Sequence, residues 1–188
     1  MKNQILGLFS ALLMGLTFAT TDASAQDLEN TLYMDLATGR VVIELRPDLA
    51  PQHVARMKEL TRQGFYNGVI FHRVIPGFMA QTGDPTGTGT GGSGKNIPAE
   101  FSTEKFVRGS LGAARTNDPN SADSQFFITF GDTPHLNGQY TIWGKVVSGM
   151  DLVDGIAKGE PPANPDKIIK MTVGADETSK APTESAEQ

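Results

Sequence analysis

The stretch FHRVIPGFMAQTGD, Phe71–Asp84, decides how this chain is interpreted. Its apolar residues on either side of Pro76-Gly77 predict two short strands joined by a turn. Strand residues alternate between two faces, so Arg73 can share a face with Ile75, and Gln81 follows on the second strand. The stretch lacks a nucleophile, a proton-transfer pair and a metal-ligand cluster. A cation beside apolar residues and a neutral amide suits a reaction in which only the charge distribution of the substrate changes.

Three segments together resemble the signature of the cyclophilin-type peptidyl-prolyl cis-trans isomerases. The first is the 71–84 stretch, the second is SQFFI at 124–128, and the third, a looser match, is GQYTIWGKV at 138–146. They lie in the family's order and at family-like spacings. The resemblance extends from Thr31 to Val173. It implies an enzyme that interconverts the cis and trans forms of X-Pro peptide bonds.

Many short strand-like runs and two helix-like runs follow one another along the chain. The strand candidates are 31–36, 41–45, the two strands of the 71–84 stretch, 110–114, 125–130, 140–147 and 168–173. One helix is predicted from Pro51 to a stop at Gly64, and a shorter one over 151–157. This pattern predicts a mainly β protein but leaves a barrel and a sandwich open. The resemblance implies a closed eight-stranded antiparallel β-barrel capped by two α-helices.

The two ends of the chain are predicted to lie outside the folded domain. Lys2, the apolar run Ile5–Phe18 and the small-x-small sequence Ala23-Ser24-Ala25 predict a cleavable signal peptide over 1–25. The alternative is a membrane anchor, but the apolar run is shorter than the ~20 residues that a spanning helix needs. We therefore expect an isomerase domain over 26–173 that is periplasmic or secreted, with no membrane association after cleavage. Residues 174–188 lack an apolar period and predict a disordered acidic tail.

Composition and the remaining motifs argue against several other classes of function. The net charge of −5 comes without a dense Lys/Arg cluster, so we expect no nucleic-acid partner. The chain has no cysteine, which excludes disulfides and thiol catalysis. Its three histidines lack ligand-spaced neighbours, so we expect no metal site, and His53 is predicted to lie on the surface of the first helix. The glycines of 89–94 formally match a dinucleotide fingerprint, but no βαβ pattern surrounds them, and we expect no cofactor.

Arg73 and Gln81 are the predicted catalytic residues. In the twisted transition state the prolyl nitrogen becomes a better hydrogen-bond acceptor, so a fixed donor lowers a barrier of ~18–20 kcal/mol. The guanidinium is always charged and presents a rigid fork of donors. On the strand pattern alone, a surface ion pair explains Arg73 equally well, and an exposed amide without a role explains Gln81. The resemblance implies that Arg73 polarises the prolyl amide and that Gln81 fixes a substrate carbonyl.

A second set of residues is predicted to bind the substrate. The resemblance implies a proline pocket whose floor and walls are Phe78, Met79, Phe127 and Leu136, although apolar strand residues are more often ordinary core. It also implies that Ala114 and Arg115 line the groove mainly through their backbone, since Arg115 replaces the family's asparagine. His135 and Tyr140 stand where many cyclophilins carry tryptophan and histidine. The first change predicts weak binding of cyclosporin, because the indole N–H donates to that drug.

Two functions from different classes remain open at this point. The first is a peptidyl-prolyl isomerase that acts during the folding of exported proteins, on proline-containing unfolded or flexible polypeptides, without a covalent intermediate. The second is a holdase or assembly factor that binds proline-containing segments with little turnover. Arg73 favours the enzyme, because a pure binder has no need of it. A lipocalin-type carrier is disfavoured by the lack of an N-terminal Gly-x-Trp signal. We expect a monomer.

Overall fold

The computed structural model describes residues 27–178. Within this range one sheet is formed by β1 (Thr31–Leu36), β2 (Gly39–Leu45), β3 (Arg73–Ile75), β4 (Met79–Thr82), β5 (Ser110–Ala113), β6 (Phe126–Thr129), β7 (Ile142–Ser148) and β8 (Lys170–Val173). Helical segments of the same range are α1 (Pro51–Arg62), the 3-10 turn η1 (Pro134–Leu136), α2 (Met150–Asp154) and α3 (Gly174–Thr178). The predicted strands are confirmed, with bounds that differ by one or two residues at several ends.

The sheet is antiparallel, and its strands lie in the order β3-β4-β6-β5-β7-β2-β1-β8. Strand β1 shows the period of two that is typical of a half-buried strand, since every second residue, Leu32, Met34 and Leu36, is buried. Helix α1 adds residues at helical spacing to the same hydrophobic core, namely Val54, Met57 and Leu60. The prediction of a mainly β protein is therefore confirmed.

The sheet is a curved half-barrel, so the prediction of a closed barrel is wrong. Closure requires β3 to pair with β8, but these strands stand at opposite ends of the strand order. The segment between α2 and β8 covers the edge at β3 instead, since Val74 and Gly159 exchange backbone hydrogen bonds of 2.8 and 2.9 Å. Because β3 has only three residues, such a local bridge satisfies its edge groups without a full strand partner.

Helix α1 receives its N-terminal cap from a distant residue. It begins at Pro51 without a capping side chain of its own. The carboxylate of Glu100 accepts hydrogen bonds from the backbone N–H groups of Gln52 and His53, each at 3.0 Å. A carboxylate oxygen also lies 2.7 Å from Nδ1 of His53, whose side chain is fully buried. The prediction of a surface position for His53 is wrong, because the partner that accommodates it lies 47 residues away.

The C-terminal part of the described chain also differs from the prediction. Gly174–Thr178 forms α3, so the tail does not begin at residue 174. Two of its acidic residues pair with arginines of the domain: Asp176 Oδ2 lies 2.9 Å from Arg62 Nε, and Glu177 Oε2 lies 2.7 Å from Arg40 Nη1. Residues 179–188 and the predicted signal peptide lie outside the described residues. Among residues 27–178, no helix combines the length and apolarity needed to cross a membrane.

Candidate active site

The predicted hairpin of β3 and β4 places Arg73 directly opposite Gln81. At its turn, Gly77 takes a φ of +71°, a left-handed conformation that favours glycine. Arg73 Nη1 donates to Gln81 Oε1 at 3.4 Å, and Arg73 Nε donates to Glu160 Oε2 at 2.8 Å. The two residues predicted to be catalytic are thus brought together. Arg73 also forms an ion pair, with Glu160, as the alternative interpretation of the strand pattern predicted.

A chain of amide hydrogen bonds continues from Gln81 to the glycine-rich loop. Gln81 Nε2 donates to Gln125 Oε1 at 2.9 Å. Gln125 Nε2 in turn donates to the carbonyl oxygens of Gly89 and Gly91 at 3.0 and 2.8 Å. Gln125 is missing from the predicted site, although its place in the SQFFI segment is a signal that could have identified it. The glycine-rich loop and the β3–β4 hairpin are therefore joined through two side-chain amides.

The carboxylate of Asp84 organises the same loop. It accepts hydrogen bonds from the N–H groups of Thr86, Gly89 and Gly91 at 2.7, 2.6 and 3.1 Å, and from the Thr86 hydroxyl at 2.7 Å. Burial alone would raise the pKa of Asp84, but these donors outweigh it and hold the pKa well below the usual range of a carboxyl group. The glycine-rich loop is thus built around a carboxylate whose ionised form its donors stabilise.

The apolar members of the predicted site form a cluster that is distinct from the main core. Its buried members are Met79, Phe106, Phe127, Leu136 and Ile142. Half-buried residues that pack against it include Phe78, Ala114 and Tyr140. The ring of Phe127 stacks on that of Phe106, with centroids 5.7 Å apart. The predicted floor residues are therefore brought together, and Phe106 and Ile142 are members that sequence reasoning missed, since nothing in their local sequence separates them from ordinary core.

One row of directly paired residues joins the polar and apolar parts of the site. Arg73 on β3 lies opposite Gln81 on β4, Gln81 lies opposite Phe127 on β6, and Phe127 lies opposite Gly112 on β5. Directly opposed residues of antiparallel strands point to the same face of the sheet. The cation, the amide and the aromatic ring therefore stand side by side on one face.

Three further predicted residues lie at the rim of this site. His135 is exposed, and its ring lies 5.3 Å from that of Phe78 at an angle of 40°. Tyr140 meets the ring of Phe127 edge-on at 5.8 Å. Arg115 Cζ lies 4.4 Å from the centroid of the Tyr140 ring, and its guanidinium donates to the carbonyl oxygens of Thr116 and Gln139. The side chain of Arg115 is thus held against Tyr140 and the backbone.

Comparison with known proteins identifies the family of this chain. The family model described as cyclophilin type peptidyl-prolyl cis-trans isomerase/CLD matches residues 31–173. The chain belongs to this family. A probable peptidyl-prolyl cis-trans isomerase of Brucella suis is 58% identical over 185 residues, covering 89% of this chain and 93% of the relative. The peptidyl-prolyl cis-trans isomerase of Helicobacter pylori is 42% identical over 147 residues, covering 75% and 90%.

Solved cyclophilins share the fold of this chain. The cyclophilin AquaCyp293 from Hirschia baltica superposes with a TM-score of 0.74 and 26% identity, covering 89% of this chain and 84% of that structure. A cyclophilin from Cryptosporidium parvum, crystallised in the presence of the dipeptide Ala-Pro, gives a TM-score of 0.71 and 32% identity, covering 76% and 98%. Together with the family and the named relatives, these structures show that the chain is a cyclophilin-type peptidyl-prolyl cis-trans isomerase.

The chemistry available in this cyclophilin follows from the row of paired residues. A guanidinium supplies a charged hydrogen-bond donor, and the adjacent cluster supplies an apolar surface on which a proline ring can lie. Among residues 27–178, no group of three or more His, Cys, Asp or Glu side chains is arranged to hold a metal ion. Rotation about an X-Pro bond breaks no σ bond, so a charged donor beside an apolar surface is compatible with this reaction.

Proposed function

We propose that Arg73 catalyses isomerisation by donating a hydrogen bond to the prolyl nitrogen of the substrate. Rotation about the X-Pro bond requires the loss of amide resonance. In the twisted transition state the nitrogen lone pair is no longer delocalised, so the nitrogen accepts a hydrogen bond better than it does in either planar form. A donor aimed at this atom binds the transition state more tightly than the ground states and speeds rotation in both directions.

The observation that supports this role is the way in which the Arg73 guanidinium is held. Its Nε is engaged by Glu160 and its Nη1 by Gln81, while its Nη2 has no hydrogen-bond partner among residues 27–178. The side chain is 41% exposed, so a bound polypeptide can reach it. A donor that is oriented before the substrate arrives requires no reorganisation during the reaction, which is the condition for strong electrostatic stabilisation.

The other predicted residues take supporting roles in the same proposal. The proline ring rests on the floor formed by Phe127 and the residues of its cluster. Gln81 Nε2 carries two hydrogens, of which one is donated to Gln125, and we assign the other to a substrate carbonyl. Ala114 and Arg115 border a cavity of about 590 Å³ together with Gln81 and Gln125, and their backbone lines the groove for the flanking residues of the substrate.

Replacement of Arg73 by lysine tests this mechanism. Lysine keeps the positive charge but replaces the oriented fork with a flexible point charge. We expect Arg73→Lys to lower the rate of cis-trans exchange of an X-Pro peptide while its peptide affinity changes little. Exchange rates and affinities are measured by NMR on the same peptide. An equal rate in both proteins would show that a cation near the site is sufficient and that the fork has no role.

We also propose that this cyclophilin is an exported bacterial enzyme. The apolar run Ile5–Phe18 and the Ala23-Ser24-Ala25 sequence support export to the periplasm, where the mature monomer would act on unfolded or flexible proline-containing chains during folding. The test is expression of the full chain in a Gram-negative host, followed by fractionation and mass spectrometry. We expect a soluble periplasmic product that begins at Gln26. A membrane-bound product with an intact Met1 would support the anchor instead.

A further inference from the structure

Backbone hydrogen bonds fix the segment that carries Glu160 against β3. It follows Gly159, which exchanges two hydrogen bonds with Val74, the residue after Arg73. The same segment is fastened again through Asp166, whose carboxylate accepts the Ala157 N–H at 2.8 Å and whose carbonyl accepts the Phe71 N–H at 2.9 Å. The segment between α2 and β8 therefore places the backbone of Glu160 at a defined position beside β3, within reach of Arg73.

We propose that Glu160 is a positioning residue for Arg73. The inference rests on the proposed catalytic role of Arg73. An arginine side chain has several rotatable bonds, so a single contact does not fix the plane of its guanidinium. The charged carboxylate of Glu160 accepts a hydrogen bond from Arg73 Nε at 2.8 Å. The hydrogen bond from Arg73 Nη1 goes to the neutral amide oxygen of Gln81 and is 3.4 Å long. The charged hydrogen bond is the shorter and stronger of the two, and it leaves Nη2 for the substrate.

The exposure of the pair argues for orientation rather than for stability. The side chains of Arg73 and Glu160 are 41% and 52% exposed. Ion pairs with this exposure contribute little to folding, since solvent screens their attraction. Solvent screening also limits how far the negative charge of Glu160 reduces the electrostatic attraction of Arg73 for the substrate. We therefore expect removal of Glu160 to change the orientation of the Arg73 guanidinium more than the stability of the fold.

The test is a set of single and double variants assayed for kcat and KM on one X-Pro peptide. We expect Glu160→Ala to lower kcat/KM about fivefold, the equivalent of losing one exposed ion pair, mainly through kcat. Glu160→Gln keeps an oxygen acceptor and should recover part of the loss. Asp48→Ala is the matched control, because Asp48 is an exposed partner of another arginine, Arg46, at 2.7 Å. We expect this control to keep the activity of the unmodified protein.

A double-mutant cycle separates this inference from the proposed function. If Glu160 acts through Arg73, then Glu160→Ala has no further effect in the Arg73→Ala background. Unchanged or increased kcat/KM in Glu160→Ala, or an equal loss with and without Arg73, would overturn the positioning role. Full activity of Arg73→Ala by itself would overturn the proposed catalytic role instead. Thermal unfolding of each variant, expected to match the unmodified protein, excludes a folding defect as the cause.

Discussion

Gly112 lies directly opposite Phe127 in the pairing of β5 with β6. A Cβ atom at Gly112 would lie 2.7 Å from Cε2 of Phe127 and 2.7 Å from Cε1 of Phe106, which is closer than side-chain atoms pack. The missing side chain lets the Phe127 ring lie over the neighbouring strand and stack on Phe106. The packing of this aromatic pair therefore depends on a glycine inside a strand, a position where glycine otherwise weakens the sheet.

Gly112→Ala is expected to damage the site and the fold together. The added methyl group displaces the Phe127 ring, and overpacking of this kind costs about 1–3 kcal/mol of unfolding free energy. Urea unfolding and kcat/KM on an X-Pro peptide measure the two effects. Gly131→Ala is the matched control, because nothing lies within 4 Å of a Cβ at that position. Equal behaviour of the two variants would show that Gly112 does not make room for the ring.

Phe127→Ala should weaken peptide binding and lower stability at the same time. Phe127 is 5% exposed, its ring belongs to the apolar cluster, and it is the proposed floor for the substrate proline. Truncation of a buried aromatic ring costs about 3–5 kcal/mol. Calorimetric unfolding and peptide titration check both effects, with Phe101→Ala as the control, since Phe101 is 45% exposed. An unchanged melting temperature together with unchanged peptide affinity would show that Phe127 contributes neither to the stability of the apolar cluster nor to substrate binding.

The sequence was sufficient for those parts of the site that depend on local order along the chain. The alternation within the 71–84 stretch predicts the β3–β4 hairpin, and the hairpin alone brings Arg73 next to Gln81. The SQFFI segment similarly predicts β6. These features follow from strand period and turn residues, which act over a few neighbours. The pairing of Gln81 with Phe127, and of Phe127 with Gly112, depends on the order of the strands in the sheet. The family resemblance implied an eight-stranded barrel but did not specify this order.

Features that depend on contacts between distant segments were not predictable from the sequence. Glu160 is 87 residues from Arg73, and Glu100 is 47 residues from His53. Each partner is an acid in an irregular segment, exposed for Glu160 and largely buried for Glu100, and such a segment gives no periodic signal. The prediction of a closed barrel is wrong for a related reason. A loop residue, Gly159, hydrogen-bonds to the edge of β3, where a closed barrel would have another strand.

The Asp84 carboxylate should make the stability of the loop depend on acid pH. Its hydrogen bonds hold the pKa of Asp84 in the folded protein below the ~3.9 of an unfolded chain. A depressed folded pKa contributes stability that is fully present above the unfolded value and is lost as the pH falls through the folded value. Asp84→Asn should therefore be less stable than the unmodified protein at neutral pH, and the difference should shrink below about pH 4. Urea unfolding of both proteins from pH 7 down to acid checks this, and a difference independent of pH would contradict it.

Cyclosporin should inhibit this cyclophilin poorly, and His135→Trp should strengthen the inhibition. His135 is exposed beside Phe78, its imidazole is smaller than an indole, and each of its ring nitrogens is a hydrogen-bond donor in only one of the two neutral tautomers. One regained neutral hydrogen bond corresponds to about two- to tenfold tighter binding. Titration of isomerase activity with the drug compares the two proteins. Tight inhibition of the unmodified protein, without a gain in the variant, would show that His135 does not control drug binding.

The guanidinium of Arg73 is the proposed catalytic donor of this cyclophilin. Arg73→Ala removes it, and the loss of one preorganised donor typically costs ~10²–10³ in rate. Arg62→Ala is the matched control, because the Arg62 side chain is also 41% exposed and also carries ion pairs. The measurement is NMR exchange between the cis and trans forms of one X-Pro peptide, with circular dichroism of each variant. We predict a native spectrum with catalysed exchange reduced ~10²–10³-fold for Arg73→Ala, and unmodified exchange for Arg62→Ala. Unmodified exchange in a natively folded Arg73→Ala would contradict the claim.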